Sequence, residues 1–188
     1  MKKLTNILIL ALIFAYPFVI FFGLEKFSVK QISLLLITVF IIRFFLFSTH
    51  SGRSNWQLYA GSAIGVAITV IAFISNSSTS LLYYPVAINL LFCLAFTLSM
   101  FYPPCMIEIF ASKFIKDIDD RRREYLRKVN LVWVIFFAAN ASLALYTVLL
   151  DDMKIWVAYN GFIAYVLVGM LFVAEYAVRK YLQMKQRI

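Results

Sequence analysis

Six apolar runs, each almost free of charge, constrain the fold more than any other feature of this sequence. A helix that crosses a membrane needs about 20 apolar residues, and the runs approach or reach that length. Hydrophobic residues make up 63% of the 188 residues and charged residues 14%, against about 45–50% and 25% in soluble domains. The composition excludes a soluble globular protein and predicts one all-α integral membrane domain over residues 1–188, a six-transmembrane-helix bundle. The predicted spans are residues 5–22, 32–47, 56–74, 81–102, 131–150 and 155–178.

The first of these spans has an alternative interpretation, and a charge interrupts the second. Lys2 and Lys3 precede the first run, as basic residues precede the apolar part of a secretory signal peptide. The run is longer than such a segment and lacks a small-x-small cleavage site at its end, so we expect a retained helix. Arg43 interrupts the second run near its polar end, from where its guanidinium can reach the headgroups by snorkelling.

The distribution of basic residues predicts the orientation. Of the 18 Lys and Arg residues, all but Lys26, Lys30 and Lys154 fall on one side of the six spans. Cytoplasmic loops retain positive charge, so we expect both termini to lie in the cytoplasm. The net charge of +9 is explained by this arrangement, and no nucleic-acid partner is predicted because no groove-reading element accompanies it.

The one long loop, residues 103–130, is predicted to be cytoplasmic. The dipeptide Pro103-Pro104 suits the start of a helix rather than its interior. Apolar residues then recur at helical spacing, which predicts an amphipathic helix lying on the inner membrane surface. These residues are Ile107, Phe110, Phe114 and Ile118.

A basic cluster follows in the same loop. Such a cluster attracts anionic lipid headgroups by about 1 kcal/mol per residue near the surface, although membrane topology alone accounts for it equally well. Helical spacing also predicts ion pairs between Asp120 and Arg123 and between Glu124 and Lys128. The predicted anionic-lipid patch consists of Arg121, Arg122, Arg123, Arg127 and Lys128.

Several polar residues lie within or beside the apolar runs, where they are costly unless paired. We considered interhelical ion pairs of Arg43 with Glu108 or Glu175, a polar pocket for a lipid headgroup, and proton transfer by a glutamate. The amides of Asn140 and Asn160 can pair with one another across helices as a packing contact, or can contact a ligand. The candidate polar pocket contains Arg43, Glu108, Glu175, Asn140 and Asn160.

Enzyme signatures are missing from the sequence. His50 is the only histidine, and Cys93 and Cys105 lack metal-ligand spacing and are interpreted as packing residues. We found no motif of a hydrolase, a zinc enzyme or a nucleotide-binding loop. No catalytic residue, metal site or cofactor is predicted, and a membrane enzyme that acts through a carboxylate and an arginine stays open.

The third run contains Gly61 and Gly65 in a G-x-x-x-G spacing, with Thr69 one turn later. This face lets another helix approach closely. It predicts tight packing within the bundle, and a homodimer is the weaker alternative.

The second half of the chain resembles known membrane proteins. K-V-N-L-V-W-V-I-F-F at 128–137 and I-W-V-A-Y-N at 155–160 resemble the intracellular septation protein A family of small bacterial inner-membrane proteins. A related group of uncharacterised membrane proteins is more similar, through Y-P-V-A-I-N-L at 84–90, P-P-x-M-I-E at 103–108, Asn140, Y-N-G at 159–161 and E-Y at 175–176. The resemblance covers about residues 82–179. The acidic and basic segment at 117–123 departs from the group, which has proline and glycine there, and no residue role transfers.

The two resemblances imply different roles. The septation family implies cell-envelope maintenance and division through contacts with other inner-membrane proteins. The related group is associated with gene neighbourhoods for aryl-polyene or fatty-acyl lipids, and this implies a supporting role beside cytoplasmic acyl-chain enzymes. We therefore expect a non-catalytic inner-membrane protein that supports envelope lipid biogenesis and contacts anionic membrane lipids. A scaffold for cell-division and wall-synthesis proteins is the first alternative, and a lipid-modifying enzyme or lipid transporter is the second.

Overall fold

A computed structural model describes residues 15–48, 56–112, 114–115 and 117–185, with the backbone alone at 43–48 and 56–60. Most of the first predicted span, the side chain of Arg43, and His50 therefore lie outside the described residues. Regular structure in the described ranges is entirely helical, which confirms the all-α class there. The helices are α1 (Tyr16–Leu24), α2 (Val29–Ser48), α3 (Trp56–Ser75), α4 (Ser78–Leu82), α5 (Tyr84–Phe101), α6 (Met106–Ala111), α7 (Asp120–Leu149), α8 (Met153–Ala158) and α9 (Ala164–Met184), with a π-helical turn at Tyr159–Ile163 between the last two.

Among the described residues, three helical segments are long and apolar enough to cross a membrane. They are Ser78–Phe101, Asp120–Leu149 and Met153–Met184, which correspond to the fourth, fifth and sixth predicted spans. In α2 and α3, which have 20 residues each, the stretches with described side chains, Val29–Ile42 and Gly61–Ser75, are also apolar. The count of six spans therefore stays a prediction.

The helix boundaries in the predicted cytoplasmic loop, residues 103–130, differ from those expected. Helix α7 begins at Asp120, well before the predicted span at residue 131. Helix α6 ends at Ala111, so Phe114 and Ile118 do not continue it. The early start of α7 is explained by Asp119, whose carboxylate accepts a hydrogen bond from the Arg122 N–H at 2.8 Å and caps the new helix. The amphipathic helix is shorter than predicted.

The contacts divide the chain into two compact units. Unit 1 comprises Met1–Ile88 with Ser142–Ile163, and unit 2 comprises Asn89–Ala141 with Ala164–Ile188. Helices α5 and α7 contribute residues to both units.

In unit 1, helix α2 begins with a capping box. The Ser28 N–H donates to Gln31 Oε1 at 3.0 Å, and the Gln31 N–H donates to Ser28 Oγ at 3.3 Å. This reciprocal pair satisfies two of the N–H groups that every helix start leaves free. Further along α2, the buried Phe40 ring lies against Gly65 of α3. The predicted G-x-x-x-G face is thus used for packing within the chain.

A proline creates the central polar contact of unit 1. Pro85 has no N–H to donate to the Leu81 carbonyl, which lies four residues earlier in the chain. The Tyr16 hydroxyl donates to that carbonyl at 2.7 Å instead, and the Trp156 indole N–H donates to the Leu82 carbonyl at 3.1 Å. Tyr16 and Trp156 are both buried, so the break between α4 and α5 is satisfied by side chains distant in sequence.

In unit 2, aromatic residues of α5 and α7 form the core around Trp133. Phe96 and Phe137 lie 6.4 and 5.5 Å from the Trp133 ring, measured between centroids. Asn130, one turn before Trp133, is fully buried. Its side-chain amide donates to the Phe96 carbonyl at 3.0 Å and its oxygen accepts from the Ile107 N–H at 3.4 Å. Asn130 therefore holds α5 and the start of α6 against α7.

Candidate functional site

Glu108 on α6 has a buried carboxylate that forms an ion pair with an arginine of α7. Arg123 Nε lies 3.1 Å from Glu108 Oε1, and the Arg123 guanidinium also reaches Asp120 at 3.2 Å. The predicted pair of Asp120 and Arg123 is confirmed. The contact to Glu108 was not predicted, because the two residues lie fifteen positions apart and on different helices. It fastens α6 to α7.

Glu175 on α9 has a second, separate set of partners. Arg179 Nε lies 3.3 Å from Glu175 Oε1, and the Tyr125 hydroxyl of α7 donates to the same oxygen at 3.2 Å. Glu108 and Glu175 were both predicted to lie in one polar pocket with Arg43. In the structure Glu108 pairs with Arg123, and Glu175 pairs with Arg179. The side chain of Arg43 lies outside the described residues, so its ion pair with a glutamate stays a prediction.

An apolar groove runs between α7 and α9 in unit 2, and we call it the α7–α9 groove. Its volume is about 390 Å³, which falls in the range of roughly 300–1,000 Å³ found for small-molecule sites. Apolar side chains form most of its wall, and three polar side chains lie among them. The lining residues are Tyr125, Lys128, Val129, Val132, Trp133, Leu171, Ala174, Glu175, Val178 and Leu182.

Lys128 is the cationic side chain of this groove. Its ammonium lies 2.7 Å from Glu124 Oε1, one turn earlier on α7, and both side chains are about 70% exposed. The predicted pair of Glu124 and Lys128 is confirmed. An exposed pair at this spacing contributes only about 0.3–0.5 kcal/mol, so Lys128 can exchange Glu124 for another anion.

The basic cluster at the start of α7 is partly neutralised within the chain. Arg123 and Lys128 are in ion pairs, and Arg122 Nη1 donates to the Asp117 carbonyl at 3.2 Å. Arg121 and Arg127 are exposed, and Arg127 Nη2 donates to the Met100 carbonyl at 3.5 Å. The five-residue anionic-lipid patch stays a prediction.

The buried asparagines each have a neighbour that the sequence did not identify. The Asn140 amide donates to Asn89 Oδ1 at 2.8 Å between α7 and α5. The Asn160 amide donates to Thr147 Oγ1 at 3.1 Å and to the Trp156 carbonyl at 3.0 Å. These bonds give both residues a packing role in their own unit.

The two cysteines are free thiols. Burial raises the pKa of the Cys105 thiol, because its thiolate would be poorly solvated. A thiol of this kind is a poor nucleophile and metal ligand. No group of three His, Cys, Asp or Glu side chains that could hold a metal ion occurs among the described residues.

The groove itself was not recognised in the sequence, although a signal was present. Its residues follow helical spacing on both helices. On α7, Val132 and Trp133 lie three and four residues after Val129, and on α9, Leu171, Ala174 and Val178 recur at intervals of three and four. Each series marks one helix face. A small residue, Ala174, on one of these faces leaves room between the helices.

Comparisons with known proteins give no further constraint. No protein-family model, curated protein or solved structure matches this chain.

Proposed function

We propose that the chain is a six-span protein of the bacterial inner membrane, with both termini in the cytoplasm, that supports envelope lipid biogenesis by holding an acyl lipid. The observation that carries this proposal is the α7–α9 groove, whose lining is mostly apolar and also includes Lys128, Tyr125 and Glu175. An amphiphile needs such a lining, because its chain favours apolar contacts and its head favours polar ones.

Exposed apolar surface on α9 supports the membrane location. One face of α9 leaves between 44% and 69% of each of three large apolar side chains exposed, and these are Val166, Met170 and Val173. A continuous patch of this kind is rare on a soluble monomer, whereas lipid tails solvate it at no cost. The same argument applies to Phe114, which is 90% exposed, and we place it with α6 at the inner membrane surface.

The contacts of the two carboxylates support a non-catalytic role. Glu108 and Glu175 are each bound to an arginine, and Glu175 also accepts a hydrogen bond from the Tyr125 hydroxyl. Both carboxylates therefore already have partners within the protein. The lipid and its acyl-chain enzymes are therefore proposed as partners, with the chemistry carried out by other proteins.

Filling the groove tests this proposal. Ala174 lines the groove and Ala177 on the same helix does not, so Ala174→Trp and Ala177→Trp form a matched pair. The protein is purified in a mild detergent from its own host, and the lipid that copurifies is measured by mass spectrometry. We expect Ala174→Trp to lose that lipid and Ala177→Trp to retain it. Equal lipid content in the two variants would contradict the proposal.

The deletion strain separates the proposed role from the scaffold alternative that the septation-family resemblance suggests. Extracted lipids and pigment are measured while cell shape is imaged in the same cultures. Loss of a polyene or acyl lipid with normal cell shape supports the lipid role. Filamentous or misshapen cells with an unchanged lipid profile would instead support a division scaffold.

A further inference from the structure

We infer that the α7–α9 groove selects a single-chain amphiphile with an anionic head, and that Glu124 is an internal competitor of that head for Lys128. This inference rests on the proposed function, since it names the ligand class of the same groove. It adds a specificity device that the groove volume alone does not imply.

The size and composition of the groove set the apolar part of the ligand. About 390 Å³ is near the lower end of the range for small-molecule sites, which suits one alkyl chain rather than the two chains of a phospholipid. Val132, Leu171 and Val178 offer apolar contacts along the wall. Trp133 also lines the groove and supplies a large aromatic surface.

The two charged residues that line the groove differ in how firmly they are held. Glu175 accepts from the Tyr125 hydroxyl and pairs with Arg179, and its side chain is only 21% exposed. Its charge is thus balanced inside the protein. Lys128 pairs with Glu124, and their side chains are 72% and 70% exposed. The ammonium of Lys128 is therefore the group whose partner can be exchanged.

The anionic head of the ligand replaces Glu124 as the partner of Lys128, because the alkyl chain of the same ligand is already bound in the groove. Binding of the alkyl chain places the head beside Lys128 at a high effective concentration, whereas the Glu124 pair is weakened by water and salt. A neutral head cannot replace the carboxylate of Glu124, so Lys128 discriminates by charge. Exchange is a change of ion-pair partner and involves no covalent step.

Quenching of Trp133 fluorescence measures binding at this groove. The protein is placed in nanodiscs of zwitterionic lipid and titrated with dibrominated stearate or with the dibrominated alcohol of the same chain. Bromine quenches a tryptophan that it contacts. We expect saturable quenching by both probes, about two- to fivefold tighter for the acid, as an exposed ion pair of up to about 1 kcal/mol provides. Trp133→Phe should remove most of this quenching.

Three charge variants assign the preference to the ion pair. We expect Lys128→Gln to abolish the preference for the acid, and Glu124→Gln to tighten binding of the acid about twofold by removing the competitor. Lys180→Gln removes the same charge from an exposed position on α9 that does not line the groove, and it should retain the preference.

The outcomes separate the inference from the function beneath it. Equal binding of acid and alcohol, unchanged in Lys128→Gln, would overturn the anionic-head inference and leave an acyl-binding groove in place. A loss of preference as large in Lys180→Gln as in Lys128→Gln would also overturn it, because general surface charge would then be the cause. Absence of saturable quenching, or quenching that persists in Trp133→Phe, would overturn the proposed function itself.

Discussion

Replacement of Asn130 by alanine tests whether one buried amide holds α6 against α7. The substitution removes the acceptor of the Ile107 N–H and the donor to the Phe96 carbonyl, at a residue with no exposed surface. Cys105 precedes α6 without a side-chain capping bond, so Asn130 supplies that cap from another helix.

The expected loss follows from these two bonds. Loss of a cap costs about 0.5–2 kcal/mol, and the 3.4 Å distance to the Ile107 N–H favours the lower part of that range. Loss of the bond to the Phe96 carbonyl adds about 1 kcal/mol. We therefore expect Asn130→Ala to lower the free energy of unfolding by about 2 kcal/mol.

Reversible unfolding of the detergent-solubilised protein by sodium dodecyl sulfate, followed by far-ultraviolet circular dichroism, measures this change. Gln183→Ala is the control, because it removes an exposed amide from α9 and should change stability by less than about 0.5 kcal/mol. Asn130→Asp retains the acceptor oxygen but loses the donor and buries a charge, so it should destabilise at least as much as alanine. Stability of Asn130→Ala within about 0.5 kcal/mol of the parent would refute the reasoning.

Two further predictions concern packing and topology. In Gly65→Ala the added methyl carbon would lie 2.6 Å from the Phe40 ring, so we expect a loss of about 1–3 kcal/mol of unfolding free energy. Gly169→Ala is the control, because its added atom meets open space, and it should be neutral or slightly stabilising in the same assay. Equal effects of the two substitutions would contradict this account. Alkaline phosphatase fused after Asn76 should be active and after Asp119 inactive, because the first lies on the predicted outer side and the second in the cytoplasm; the reverse pattern would refute the proposed orientation.

The residues that carry the sequence resemblance also have packing roles in this chain. Asn140 contacts Asn89, Asn130 caps α6, and Trp133 forms the centre of an aromatic core. Glu108 joins α6 to α7. The joint spacing that produces the resemblance is therefore accounted for by helix packing, which agrees with the proposal that the protein itself is not an enzyme.

The sequence by itself determined the features that depend on near neighbours along the chain. The apolar runs predicted six spans, and three of them correspond to helical segments of the described residues that are long and apolar enough to cross a membrane. Spacing of three or four predicted the ion pairs of Asp120 with Arg123 and of Glu124 with Lys128. Both follow from the period of the α-helix, which fixes which residues share a face. The length of α6 was overestimated, because α6 ends at Ala111 and Asp119 caps a separate helix after it.

Only the tertiary structure decided which helix faces which. Helix packing places Glu108 in an ion pair with Arg123 and places Glu175 within hydrogen-bond distance of the Tyr125 hydroxyl. It also forms the α7–α9 groove, which Lys128 lines. Helical periodicity places a side chain on one face of its own helix but carries no information about the helix opposite. Contacts such as that between Tyr125 and Glu175, fifty residues apart in the chain, are set by how whole helices pack, because each must bury its apolar face while satisfying its polar groups.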